Sequence, residues 1–175
     1  MARLVALDLP GGPTFVDTLK RAWDVGDAVT VVPQRLSSTA RAERLALLRP
    51  HQVIGPEGEA RTFDADAPLL DEGDALVATS SGSTGTPKVL VHTIAGLAAH
   101  ASAVHRRLAI DPSSDGWLAC LPLDHLGGFG VVARAILDDV RLEVLPAFDA
   151  PTVAAAPRDL GTTLTSLVPT ALDRV

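Results

Sequence analysis

Short apolar runs rich in valine and leucine alternate along the chain with longer stretches whose apolar positions recur every three or four residues. The first pattern suits buried strands and the second amphipathic helices. Residues 3–9 read as a strand, closed by Pro10-Gly11-Gly12. Residues 14–23 place Phe15, Leu19 and Trp23 at helical spacing, and 28–32 read as the next strand. A helix is predicted over 39–48, with Leu45 and Leu48 inward and arginines outward, followed by a short strand at 51–55. Residues 56–74 are acidic and punctuated by glycine and proline, so they read as a connecting segment. A strand over 75–81 follows.

After residue 88 the pattern resumes. Residues 90–92 look extended, and Thr93 stands as an N-cap for a helix running to Leu108. Ile94, Leu97, Ala101, Val104 and Leu108 make one apolar stripe on that helix. A buried strand is predicted at 118–123, a helix at 127–137, a strand at 142–145, a short helix at 149–156 and a last strand at 163–168. Strands alternating with helices predict an α/β fold with right-handed crossovers: a three-layer α/β/α arrangement around a mostly parallel sheet. Residues 1–74 form a leading segment and connector, and 75–175 a second αβ segment. No internal repeat is visible.

Between the strand at 75–81 and the extended run at 90–92 lies a stretch that periodicity does not explain. Ser80, Ser81, Gly82, Ser83, Thr84, Gly85, Thr86, Pro87 and Lys88 follow in order. Gly82 and Gly85 permit backbone angles that other residues avoid. Consecutive amides in such a loop can point into one concavity and hold an anion. The hydroxyls add donors and Lys88 adds a full charge, a set suited to phosphate oxygens. On composition alone an ordinary connecting loop fits as well. The stretch is not a Walker A loop, because Thr86 and Pro87 separate Gly85 from Lys88.

Composition narrows the classes. The net charge is −6 with no basic run, which argues against a nucleic-acid surface. Cys120 is the single cysteine, so no intramolecular disulfide and no cysteine metal cluster can form. It sits in an apolar run and reads as a small buried hydrophobe. No apolar stretch reaches membrane-spanning length, and a cytoplasmic protein with no membrane association is expected.

A second constellation stands at Pro122-Leu123-Asp124-His125-Leu126-Gly127-Gly128. In parallel α/β sheets ligands gather beyond the C-terminal ends of strands, which is where His125 would fall. On spacing alone a turn with a solvent-facing Asp-His pair is the better account. A metal site is not expected, since no third ligand is in register.

Residues 80–88 resemble the phosphate-binding loop of the adenylate-forming (AMP-binding) superfamily of acyl- and aryl-CoA ligases. The family pattern is Ser/Thr-Ser/Thr-Gly-Ser/Thr-Thr-Gly-x-Pro-Lys after an apolar strand, and every position fits. Val89 departs from it, since glycine usually follows the lysine. Pro122-Leu123-Asp124-His125 is similar to the family's Pro-Leu/Met-Phe/Tyr-His motif, except that Asp124 replaces the aromatic. Residues 31–54, with Glu143–Asp149 and Thr165–Leu172, look most like the o-succinylbenzoate–CoA ligases of menaquinone biosynthesis.

The resemblance implies ATP-dependent activation of a small carboxylic acid to an acyl-adenylate, then transfer to CoA. It implies ATP, Mg²⁺ and CoA as cofactors or cosubstrates, with no nucleic acid or membrane partner; a homo-oligomer is left open. It assigns phosphate binding to Ser80, Ser81, Gly82, Ser83, Thr84, Gly85, Thr86 and Lys88. Lys88 also stabilises the reacting phosphates, and His125 lies beside the acyl substrate. The family's adenine motif, ribose-binding Asp and mobile C-terminal domain with its catalytic lysine are not found in these residues. The chain therefore reads as the N-terminal part of such an enzyme, inactive alone. The alternative is a non-catalytic relict that binds a phosphate-bearing ligand or a partner subunit.

Overall fold

β1 (Leu4–Leu7) is buried at every position, and its place in the fold follows from that. A strand buried on both faces has to be central. In this computed structural model, which describes residues 1–80 and 88–175, β1 pairs in parallel with β2 (Ala28–Val31) on one side and β3 (Gln52–Ile54) on the other. β2 pairs in parallel with β5 (Asp74–Ser80). Two antiparallel strands close the edges: β4 (Ala60–Thr62) on β3, and β6 (Lys88–Thr93) on β5. The six-stranded order is β4-β3-β1-β2-β5-β6.

Helices cover both faces of this sheet. α2 (Ser38–Leu48) packs Leu45 against Ala6, Val32 and Val53, and Leu48 against Leu4, Ala28 and Val77. The hydroxyl of Ser37 caps its first turn by accepting the Ala40 N–H at 3.3 Å. α1 (Pro13–Asp24) buries Phe15, Leu19 and Ala22 and lies on the opposite face, beside Val5 and Ile54. Residues 1–10 and 14–95 form this first compact unit.

The second unit comprises residues 11–13 and 96–175. Its sheet has three parallel strands in the order β8-β7-β9: β7 (Gly116–Ala119), β8 (Arg141–Val144) and β9 (Leu164–Thr165). α5 (Ala150–Asp159) sets Val153 and Ala156 against Leu118 and Cys120 on one face. α3 (Ile94–Leu108) and α4 (Leu126–Leu137) reach the other face, where Trp117 of β7 meets side chains from both. A short α6 (Pro169–Leu172) follows β9.

The α/β class and the parallel pairing agree with the reading of the sequence, although two sheets form. The segment at 56–74 is not wholly a connector, because β4 lies in it. β4 is exposed at all three positions and has no apolar alternation, so backbone pairing with β3 alone creates it. The strand expected at 118–123 spans Gly116–Ala119 instead. Cys120 and Leu123 remain buried beyond the last paired residue, so the buried run outlasts the ladder. On α3, Leu108 is 51% exposed and His105 is buried in the inward position instead. His105 can occupy it because both ring nitrogens find partners, as described below.

Candidate functional site

Two stretches marked by the sequence fall in different units, and each has its own local logic. In the first unit β5 is buried at Ala75, Leu76 and Val77, and half-buried from Ala78 to Ser80. It runs parallel to β1, β2 and β3, so Ser80 sits at the edge formed by the strands' C-terminal ends, the usual ligand side of such sheets. The antiparallel return of β6 sets Lys88 opposite Ser80 in register. The two ends of the predicted phosphate loop are thereby brought together, with Lys88 exposed. Ser81, Gly82, Ser83, Thr84, Gly85, Thr86 and Pro87 lie outside the described residues.

In the second unit the chain leaves β7, passes Pro122 and turns into α4. His125 occupies the N-cap position in an extended conformation. Its N–H donates to the Pro122 carbonyl at 3.2 Å, and its own carbonyl accepts from Gly128 and Phe129 at 3.0 and 2.9 Å. The imidazole does not cap the helix and is 62% exposed. Its Nε2 lies 3.5 Å from Oδ2 of Asp124, whose side chain is only 6% exposed. The paired glycines have distinct roles. A Cβ at Gly128 would overlap the carbonyl oxygens of Leu121 and Pro122, whereas one at Gly127 would touch only a Leu121 methyl at 3.6 Å. Gly128 therefore allows the strand exit to press against the first turn of α4 and fixes where His125 emerges.

A cluster that the sequence reading passed over lies in the same unit. Arg134 stands in the last turn of α4 and is 8% exposed. Its Nε donates to the Gly130 carbonyl at 2.8 Å, and its guanidinium lies 4.7 Å over the Trp117 ring. Burial lowers its pKa from the usual arginine value. No carboxylate among the described residues is within ion-pair distance of it. Trp117 Nε1–H donates to His105 Nε2 at 3.2 Å, and His105 Nδ1 lies 2.6 Å from the Asp138 carboxylate. The available signal was a single arginine inside the otherwise apolar run Leu126–Leu137. A charge there has to be matched by something in the fold.

The chain belongs to the AMP-binding enzyme family, whose model matches residues 14–175. It is 40% identical over 95 residues to the probable 2-succinylbenzoate–CoA ligase of Mycobacterium tuberculosis (strain ATCC 25618 / H37Rv), covering 53% of this chain and 24% of that protein. It is 32% identical over 114 residues to the 2-succinylbenzoate–CoA ligase of Bacillus mycoides (strain KBAB4), covering 65% and 23%. The chain thus spans about a quarter of the length of these curated relatives. The fold matches the o-succinylbenzoate coenzyme A synthetase (MenE) of Bacillus subtilis in complex with AMP, with a TM-score of 0.80 at 20% identity, over 98% of this chain and 50% of that one. The same enzyme in complex with ATP and magnesium ion matches with a TM-score of 0.81 at 21% identity, over 98% and 40%.

Proposed function

We propose that the chain is the N-terminal, phosphate-binding and acyl-site portion of an AMP-forming acid–CoA ligase acting on an aromatic dicarboxylate of the 2-succinylbenzoate type. The observation that carries this reading is the register pairing of Ser80 with Lys88, which gathers both ends of the family's phosphate loop at the ligand edge of the sheet. The names of the relatives support the choice of acid.

A carboxylate is a poor acyl donor because oxide is a bad leaving group. In the proposed reaction it attacks the α-phosphate of ATP, pyrophosphate departs, and the CoA thiol then displaces AMP from the mixed anhydride. The protein has to offset charge that builds on the phosphates. Lys88 and the Ser80 hydroxyl suit that role, together with the amides and hydroxyls of Ser81–Thr86. Mg²⁺ bound with the triphosphate would offset part of the same charge. The exposed imidazole of His125 is the group assigned to the acyl substrate.

A dicarboxylate leaves one carboxylate unreacted, and that group needs a cation. Arg134 supplies one. Its bond to the Gly130 carbonyl draws the guanidinium back to the level of residue 130, about 7.5 Å along the helix axis from His125 at 1.5 Å per residue.

The test is acid-dependent ATP–pyrophosphate exchange by the full-length enzyme. Lys88→Ala is expected to slow exchange by roughly 30- to 1,000-fold, the cost of one charged transition-state contact of about 2–4 kcal/mol, with circular dichroism unchanged. Exchange at the wild-type rate in that variant refutes the role of Lys88.

A further inference from the structure

Arg134 and Asp138 stand four residues apart at the C-terminal end of α4, the spacing at which opposite charges pair across a helical turn. They do not pair. Asp138 directs its carboxylate to Nδ1 of His105 at 2.6 Å, while the Arg134 guanidinium lies over Trp117. The Trp117 indole N–H donates to the other ring nitrogen of His105, which must therefore accept. The proton of the imidazole then sits on Nδ1, where it is donated to Asp138. The two rings stack with centroids 6.2 Å apart and an interplanar angle of 20°. Three elements contribute to this arrangement: His105 from α3, Trp117 from β7, and Arg134 and Asp138 from α4 and its cap.

The arrangement leaves a nearly buried cation facing an aromatic ring while its natural partner is held elsewhere. A guanidinium in that position is costly unless an anion meets it. If Asp138 were released, pairing with Arg134 would satisfy both charges, and an incoming carboxylate would first have to displace it. We propose that His105 is a positioning residue: by holding Asp138, it keeps the Arg134 guanidinium open to the carboxylate of a ligand. The proposal rests on the reading of Arg134 as the site for the second carboxylate.

The test titrates 2-succinylbenzoate into the 175-residue chain by calorimetry. Arg134→Gln is expected to weaken binding at least tenfold, the scale of one charge-assisted hydrogen bond of about 1.5–3 kcal/mol. His105→Leu should weaken it by roughly tenfold for the same reason. Adding Asp138→Asn to His105→Leu should return the affinity to within about threefold of wild type, because the competing carboxylate is gone. A loss caused only by poor packing around position 105 would not be restored in this way. A crystal structure of His105→Leu should show the Asp138 carboxylate within about 4 Å of the Arg134 guanidinium. His105→Asn serves in both measurements if the leucine variant does not fold. Binding that depends on Arg134 but ignores His105, or is not restored by Asp138→Asn, overturns this proposal and leaves the reading of Arg134 standing. So does a structure in which Asp138 stays away from Arg134. Equal binding by Arg134→Gln, or no binding by the wild-type chain, overturns the reading of Arg134 itself and the proposal with it.

Discussion

Substituting alanine at two adjacent glycines, Gly127 and Gly128, should change stability in opposite directions. Both lie in the first turn of α4, where alanine gains up to about 1 kcal/mol over glycine in helix propensity. At Gly127 the added methyl meets only the flexible end of Leu121, so the gain is kept in part. An increase of about 0.5 kcal/mol is expected there. At Gly128 the methyl would overlap two carbonyl oxygens and the Pro122 carbonyl carbon, all of them backbone and none able to rotate away. Forcing an atom into such a contact costs about 1–3 kcal/mol, which outweighs the propensity gain. The net effect of Gly128→Ala is a loss of roughly 1–2 kcal/mol. For a chain of 175 residues this lowers the melting temperature by about 2–8 °C, against a rise of 1–2 °C for Gly127→Ala. The same displacement should reach His125, whose N–H is bonded to the Pro122 carbonyl. The assay is thermal unfolding of both variants by circular dichroism, with the amide resonance of His125 followed by NMR. Equal melting temperatures for the two variants, or an unmoved His125 amide in Gly128→Ala, would refute the argument that Gly128 sets the exit of the chain from β7.

Two further outcomes follow from buried and charged groups. Thr30 is 1% exposed and its hydroxyl has no hydrogen-bond partner among the described residues, so Thr30→Val should stabilise the protein by about 1 kcal/mol in urea unfolding, and a loss of stability would contradict this. The hydroxyl and N–H of Thr152 hold Asp149 below the usual carboxylate value of 3.8, and the Thr163 hydroxyl with the Asp111 N–H does the same for Asp115. Because both folded values are depressed, their contribution is fully present above the unfolded value and is lost as pH falls through the folded ones. Stability should therefore decline below about pH 4, and the decline should be shallower in the Asp149→Asn/Asp115→Asn double variant; identical acid limbs in urea unfolding would count against it.

The sequence by itself determined a good deal of this protein. Local periodicity placed β1, β2, α1, α2 and α3 within a few residues, because each has an apolar face that can be buried in only one way. The order of glycines, hydroxyls, proline and lysine at 80–88 made that stretch a candidate phosphate loop, since anion binding of this kind depends on neighbours along the chain. The position of His125 at the entry to a helix was also legible, from a proline before it and glycines after it. Tertiary structure decided the rest. β4 exists because β3 offers unpaired backbone groups, which no side-chain pattern in Ala60–Thr62 announces. β7 ends at Ala119 because its partners end there, although the apolar run goes on. His105, Trp117, Arg134 and Asp138 are spread over 34 positions of sequence and become one cluster only when α3 and α4 pack on the same face of β7. A periodicity argument sees one element at a time. Whether a buried charge is paired, stacked or left open to a ligand depends on side chains that other elements bring to it.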